Sequence, residues 1–226
     1  MTDANKAQLL VVDDHPIVRH GVVQLLNRQP DMEVVAESDD AESALAQLRE
    51  RAFSLIVTDI SLPGLSGIDL IRRVNASREA PPILVLSMHE ETVYAERALN
   101  AGARGYVMKQ EAPDRLVAAV RKLLAGGIHL SAQMEERMLM TLVKGRPAGA
   151  ESSLSVLSER EFEVLQMIAQ GLTSAQIAER INRSIKSVEA YRTSLRAKLG
   201  AKTTVDLARL ALEHFPHVPR SSTPRP

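Results

Sequence analysis

The sequence predicts a doubly wound α/β unit with a five-stranded parallel sheet, followed by a small all-α unit of four helices. Three observations point there. Between Leu9 and Ala125, short apolar runs alternate five times with stretches of helical periodicity. Beyond Leu154 only the helical spacing continues. The charge also divides: 18 acidic and 14 basic residues up to Ala125, then 10 acidic and 14 basic from Gly126, inside a formal net charge of +0. Such asymmetry suggests two domains with different partners, with nucleic acid a candidate for the basic one.

The elements follow in order. Leu9-Leu10-Val11-Val12 is an apolar run of the length and type of a strand buried on both faces. His15-Pro16 opens a helix through Val18, Val22, Leu25 and Leu26, with Pro in the first turn, where its missing N–H costs nothing. Val34-Val35-Ala36 is the second strand. Asp40 is placed to cap the next helix, which carries Ala41, Ala44, Leu45 and Leu48 on one face. Leu55-Ile56-Val57-Thr58 is the third strand, followed by Asp59, a Pro/Gly/Ser loop and a helix from Gly67 to Val74. Ile83-Leu84-Val85-Leu86 is the fourth, with a helix near Thr92 to Asn100. Gly105-Tyr106-Val107-Met108 is the fifth, and Pro113 starts a helix through Leu116, Val120, Leu123 and Leu124. Strands alternating with helices of this length make right-handed βαβ units and a parallel sheet covered on both faces.

Of the 226 residues, 45 % are hydrophobic and 25 % charged, enough to build a globular core. Cysteine is absent, which excludes disulfides and thiolate metal sites. No apolar run has the length of a membrane span and no basic, apolar leader precedes Leu9. A cytoplasmic protein without membrane association is the expectation.

The residues just beyond each strand carry the chemistry. Asp13 and Asp14 follow the first strand, Asp59 the third, Ser87 and His89 the fourth, and Lys109 the fifth. In an open parallel sheet, ligands gather at the carboxyl ends of the strands. Singly, each residue has a plain structural use; Asp59, for example, suits a turn. Together they place three carboxylates, a hydroxyl and an ammonium on one edge. Carboxylates that close repel one another unless a cation sits among them, and oxygen ligands suit Mg²⁺. Cation, lone carboxylate nucleophile, hydroxyl and Lys⁺ make a site for phosphoryl transfer onto Asp59.

Asp13-Asp14, Asp59 with Pro63-Gly64 and Gly67, Ser87, and Gly105-Tyr106 with Lys109 resemble the flavodoxin-like receiver domain of bacterial two-component response regulators, over about Gln8 to Ala125. The resemblance implies that Asp59 takes a phosphoryl group from a phosphohistidine of a sensor histidine kinase. It implies Mg²⁺ held by Asp14, Asp59 and the Ser61 backbone carbonyl, with Asp13 acting through water. Ser87 then bonds the phosphoryl group, Tyr106 moves inward as the switch, and Ser61 and His89 tune the lifetime of the aspartyl phosphate.

Gly126 to Ser153 reads as a linker with one helix, Gln133 to Val143, ending in the break Lys144-Gly145-Arg146-Pro147-Ala148-Gly149-Ala150. From Leu154 the chain is helical. Ser158 with Glu161 forms a capping box before Phe162, Val164, Leu165 and Ile168, and Gly171 ends that helix. Thr173 to Ala178 begins a short second helix, Ser184 caps a third running to Leu199, and Thr204 to Leu212 forms a fourth. The third helix sets Val188, Tyr191, Leu195 and Leu199 on one face, and Lys186, Glu189, Ala190, Thr193 and Arg196 on the other. Two short helices joined by a tight turn are the plan of a helix-turn-helix; an all-α dimerisation bundle with a solvated charged face has the same pattern.

Leu157-Ser158-Glu159-Arg160-Glu161, Val164-Leu165, Gly171, Ile177-Ala178, Ser187-Val188 and Lys198-Leu199-Gly200 resemble the LuxR-type DNA-binding domain, over about Leu154 to Leu212. By that likeness Glu189, Ala190 and Thr193 face base edges of double-stranded promoter DNA. Ser174, Lys186, Ser187, Arg192, Arg196 and Lys198 serve phosphates. The whole then resembles a NarL/FixJ-type response regulator. Its expected division is a receiver at 1–125, a linker at 126–153, a DNA-binding domain at 154–213 and a disordered tail at 214–226. Phosphorylation is expected to control homodimerisation and DNA binding, with no enzymatic turnover beyond slow auto-dephosphorylation. Two other readings stay open: a phosphohydrolase using Asp59, and a DNA-binding regulator whose receiver dimerises without phosphorylation.

Overall fold

The structure is a computed structural model that describes residues 6–77, 79–88, 91–111, 113–144, 154 and 157–215. His89, the break after Lys144 and the chain beyond Phe215 lie outside the described residues. The chain divides into two compact units, residues 1–146 and 147–226.

In the first unit, β1 (Ala7–Val12), β2 (Met32–Ser38), β3 (Leu55–Thr58), β4 (Ile83–Ser87) and β5 (Gly105–Met108) pair in parallel in the order β2-β1-β3-β4-β5. The five helices α1 (Pro16–Asn27), α2 (Ala41–Glu50), α3 (Gly67–Asn75), α4 (Glu91–Ala101) and α5 (Pro113–Leu124) alternate with the strands. All residues of β3 and β4 are buried, as the unbroken apolar runs require of strands covered on both faces. One core cluster joins Leu9, Val11, Leu55, Val57, Leu84 and Val107 of the strands to Val22, Leu26, Leu116, Val120 and Leu123 of α1 and α5. Each such side chain, fully buried, contributes roughly 1.5–3 kcal/mol. Pro16 stands in the first turn of α1, and Asp40 caps α2 by accepting from the Ser43 N–H at 2.7 Å. The second strand is longer than its apolar run, because pairing with β1 carries it through Glu37 and Ser38.

The linker helix α6 (Ala132–Lys144) belongs to this unit. Ahead of it the chain runs beside β5. Gly105 bridges to His129, the Tyr106 N–H donates to the His129 carbonyl at 3.0 Å, and the His129 N–H donates to the Arg104 carbonyl at 3.0 Å. The Ser131 N–H donates to Glu91 Oε1 at 2.9 Å. So short a pairing has no periodicity for sequence reading to detect.

The second unit holds α7 (Glu159–Ala169), α8 (Ser174–Arg180), α9 (Ile185–Leu199) and α10 (Thr204–His214). Reciprocal capping boxes start α7 at Ser158/Glu161, α8 at Thr173/Gln176 and α10 at Thr203/Asp206. Gly200, in the left-handed region at φ 69°, closes α9, a conformation glycine adopts without steric cost. Val164, Leu165, Ile177, Val188, Leu195 and Leu207 form the core. The last helix runs two residues past the expected end. His214 and Phe215, assigned to the tail from sequence, are ordered, and Phe215 packs edge-to-face on Phe162 with ring centroids 5.4 Å apart. Tertiary packing of an aromatic pair outweighs the polar composition that follows it. Among the described residues no helix is long and apolar enough to cross a membrane.

Candidate functional site

β1 and β3 are neighbours in the sheet, while the chain continues from β1 to β2 on one side and from β3 to β4 on the other. At such a switch point a crevice opens beyond the strand ends. Asp13, Asp14 and Asp59 all stand there. The Asp59 N–H donates to the Val12 carbonyl at 2.9 Å, locking the residue to β1. Its Oδ1 accepts from the Ile60 N–H at 2.6 Å and its Oδ2 from Lys109 Nζ at 2.7 Å. The same ammonium lies 2.7 Å from Asp13 Oδ2, and all three side chains are 3–4 % exposed. Burial pulls the Lys109 ammonium down. The charge of Asp59 and the hydrogen bonds that Lys109 donates to Asp13 and Asp59 more than offset this, so it is held above its ordinary value. Lys109 is therefore the cation that lets two buried carboxylates face each other.

The third carboxylate is differently placed. Asp14 Oδ1 is buried with no hydrogen-bond partner among the described residues. His15 Nδ1 approaches it to 2.7 Å, but that contact lacks the alignment of a hydrogen bond. Ligand atoms of Asp13, Asp14, His15 and Asp59 fall within 4.8 Å of one another. An orphaned carboxylate oxygen in such a cluster fits a hard cation such as Mg²⁺. The β3–α3 loop brings Ser61 two residues beyond Asp59, half-buried. Gly67 makes this loop possible: a Cβ there would sit 1.9 Å from the Asp59 carbonyl oxygen.

Sequence reasoning missed two contributors. His15 reads as the residue before a helix-starting proline, yet its N–H donates to Asp13 Oδ1 at 2.9 Å. Arg19 Nη1 donates to the Asp13 carbonyl at 2.5 Å. Immediate succession to an acidic pair was the only available signal for His15; Arg19 gave none.

Ser87 ends β4 fully buried, and its carbonyl accepts from the Lys109 N–H at 2.8 Å. Tyr106 is 2 % exposed and hydrogen-bonded to the Ser87 side chain, with burial foremost in pushing its phenol above the ordinary value. Tyr106 thus lies inward, beside Ser87, in this structure.

In the second unit, α8 and α9 form the helix-turn-helix, with Asn182 at φ 50° in the turn. Lys186, Glu189, Ala190 and Thr193 are exposed along α9, and Ser187, Arg192 and Arg196 are half-buried. Ser174 Oγ donates to Glu189 Oε1 at 2.5 Å, and Arg196 Nη2 donates to Thr193 Oγ1 at 3.4 Å. The Ser184 and Ser187 hydroxyls lie 2.9 Å apart. Lys198, expected at phosphates, points its ammonium at Glu161 Oε2, 2.6 Å away. Glu161 also accepts from Ser194 Oγ at 2.5 Å, the Ser158 N–H at 2.7 Å and Ser158 Oγ at 2.9 Å. Burial raises its carboxyl, but these donors prevail and bring it down to about 2.

Comparison with known proteins agrees with both halves. Residues 9–121 match the response regulator receiver domain family, and residues 155–211 the luxR family of bacterial regulatory proteins. The transcriptional regulatory protein UhpA of Escherichia coli is 37 % identical over 199 residues, covering 88 % of this chain and 94 % of that protein. The response regulator UvrY of the same species is 32 % identical over 206 residues, covering 91 % and 94 %. RcsB of Salmonella enterica, solved bound to a promoter with beryllofluoride as phosphomimetic, superposes with a TM-score of 0.58 at 29 % identity, over 92 % of this chain and 100 % of that one. A receiver joined to a LuxR-type DNA-binding domain defines a two-component transcription regulator. The chain belongs to the NarL/FixJ type of response regulator.

Proposed function

We propose that this regulator is switched in the cytoplasm by phosphorylation of Asp59 from a sensor histidine kinase, and that the switch controls dimerisation and sequence-specific binding to promoter DNA. One observation carries the reading. Asp59 is a buried carboxylate at the sheet's switch point, beside both a paired ammonium and a carboxylate oxygen that accepts no hydrogen bond among the described residues. An Asp59 oxygen attacks phosphorus, the P–N bond to the kinase histidine breaks, and the electron pair leaves with the imidazole nitrogen. Lys109 neutralises charge on the transferring group. Ser87, already bonded to Tyr106, donates its hydroxyl to the phosphoryl oxygen, which couples the new charge to β5. Asp14, Asp59 and the Ser61 carbonyl suit Mg²⁺, with Asp13 acting through water, and the ion when bound supplies further neutralisation of the phosphoryl charge.

In the second unit, Glu189, Ala190 and Thr193 read base edges while Lys186, Ser187, Arg192 and Arg196 contact phosphates. Two copies of the domain on adjacent half-sites supply the specificity that one lacks. The test is acetyl phosphate labelling with Mg²⁺. Wild type takes up label and gains DNA affinity, and Asp59→Asn does neither; label on Asp59→Asn overturns the assignment. Labelling that leaves DNA affinity unchanged favours the receiver as a phosphorylation-independent dimerisation module.

A further inference from the structure

The helix-turn-helix places Ser174, first residue of α8, against Glu189 on α9, fifteen positions away in sequence. Resemblance assigned Ser174 to a phosphate. A hydroxyl has one hydrogen to donate, and here it lies on Glu189 Oε1. A phosphate oxygen only accepts, so it cannot share that hydrogen. Glu189 is exposed and neighbours the exposed Ala190, the position of a base reader.

We infer that Ser174 is a positioning residue for sequence recognition: it fixes the Glu189 carboxylate so that Oε2 accepts from cytosine N4 in the major groove. The inference rests on the reading of α9 as the helix that meets bases. A free glutamate loses rotamer freedom when it orders. A carboxylate already held by Ser174 meets DNA with that cost largely met inside the protein, so base discrimination is not diluted by it. The fixed carboxylate also discriminates by repulsion. Guanine and thymine present acceptor oxygens to the major groove, and a carboxylate that cannot swing away meets them lone pair to lone pair. A mobile glutamate would turn aside and tolerate them.

The experiment is selection from a random duplex pool, followed by titration of single-base variants. It uses the full chain with Mg²⁺ and beryllofluoride. Wild type enriches a C·G pair at one position of each half-site, and Glu189→Ala loses that preference. Ser174→Ala loses about tenfold in discrimination at the same position, the scale of one good base contact. Ser174→Thr, which keeps the hydroxyl, retains it. In the Glu189→Ala background, Ser174→Ala changes nothing further. The inference is overturned if Ser174→Ala instead weakens every sequence equally and lowers the salt slope by about one, the signature of a phosphate contact. Unchanged base preference in Glu189→Ala overturns the reading of α9 itself, a separate result from failure at Ser174 alone.

Discussion

Glu161 gives the sharpest quantitative prediction. Its carboxyl is 6 % exposed, accepts from Lys198, Ser194 and Ser158, and is held at about 2 rather than the ordinary 4.5. One decade of proton affinity is worth about 1.4 kcal/mol, so the depressed value contributes about 3 kcal/mol to the second unit at neutral pH. The sign follows from the direction. A carboxyl lower in the folded state stabilises fully above 4.5 and loses that contribution as pH falls towards 2. By pH 3 less than half remains, about 1 kcal/mol. Glu161→Gln keeps the shape and removes the charge. It should destabilise the unit by about 2–3 kcal/mol at pH 7, a roughly 30- to 150-fold loss of amide protection, and by about 1 kcal/mol at pH 3. Hydrogen exchange read by mass spectrometry on peptides from α7 and α9 measures this in the full chain. Comparing variant with wild type at each pH cancels intrinsic exchange and every other titrating group. A difference that stays constant from pH 7 to pH 3 refutes the account.

Two more predictions follow from the geometry. Gly67→Ala drives a Cβ into the Asp59 carbonyl oxygen, backbone against backbone. It should cost at least about 1–3 kcal/mol and slow acetyl phosphate labelling at equal folded fraction, as thermal unfolding and labelling rates will show. Thr193→Ala should reduce base discrimination, whereas Arg196→Ala should weaken all sequences alike and reduce the salt slope by about one. Titrations on matched and scrambled duplexes at several salt concentrations check both.

The parts of this molecule legible in the sequence are those fixed by period and by strand ends. An unbroken apolar run such as Leu55 to Thr58 can only be buried on both faces, so the residue that follows it must stand at the sheet's edge, and Asp59 does. Capping by Asp40, Ser158 and Ser184 was legible because each acts on a residue three positions on. What the sequence does not carry is contact between elements distant in the chain. The Lys109 bridge spans 50 residues to Asp59, and only resemblance and a shared sheet edge suggested it. The resemblance to a LuxR-type domain implies phosphate contacts for Ser174 and Lys198. In the folded chain both side chains meet carboxylates distant in sequence. Phe215 was lost to the tail since nothing local announces its partner, Phe162.

The short pairing of His129 alongside β5 has a consequence for solubility. A parallel sheet ends in an edge strand whose open amides and carbonyls invite another chain to add on. Here the polypeptide covers part of its own edge: the Arg104 carbonyl and the Tyr106 N–H both pair with His129. Glycine at 105 accommodates the approach, since a Cβ there would come within 3.1 Å of the His129 carbonyl oxygen. A chain cut at Ala125 keeps all five strands and α1 to α5 but leaves the Arg104 carbonyl and the Tyr106 N–H open at that edge. The segment after α5 thus also narrows the stretch of β5 that is open to another chain.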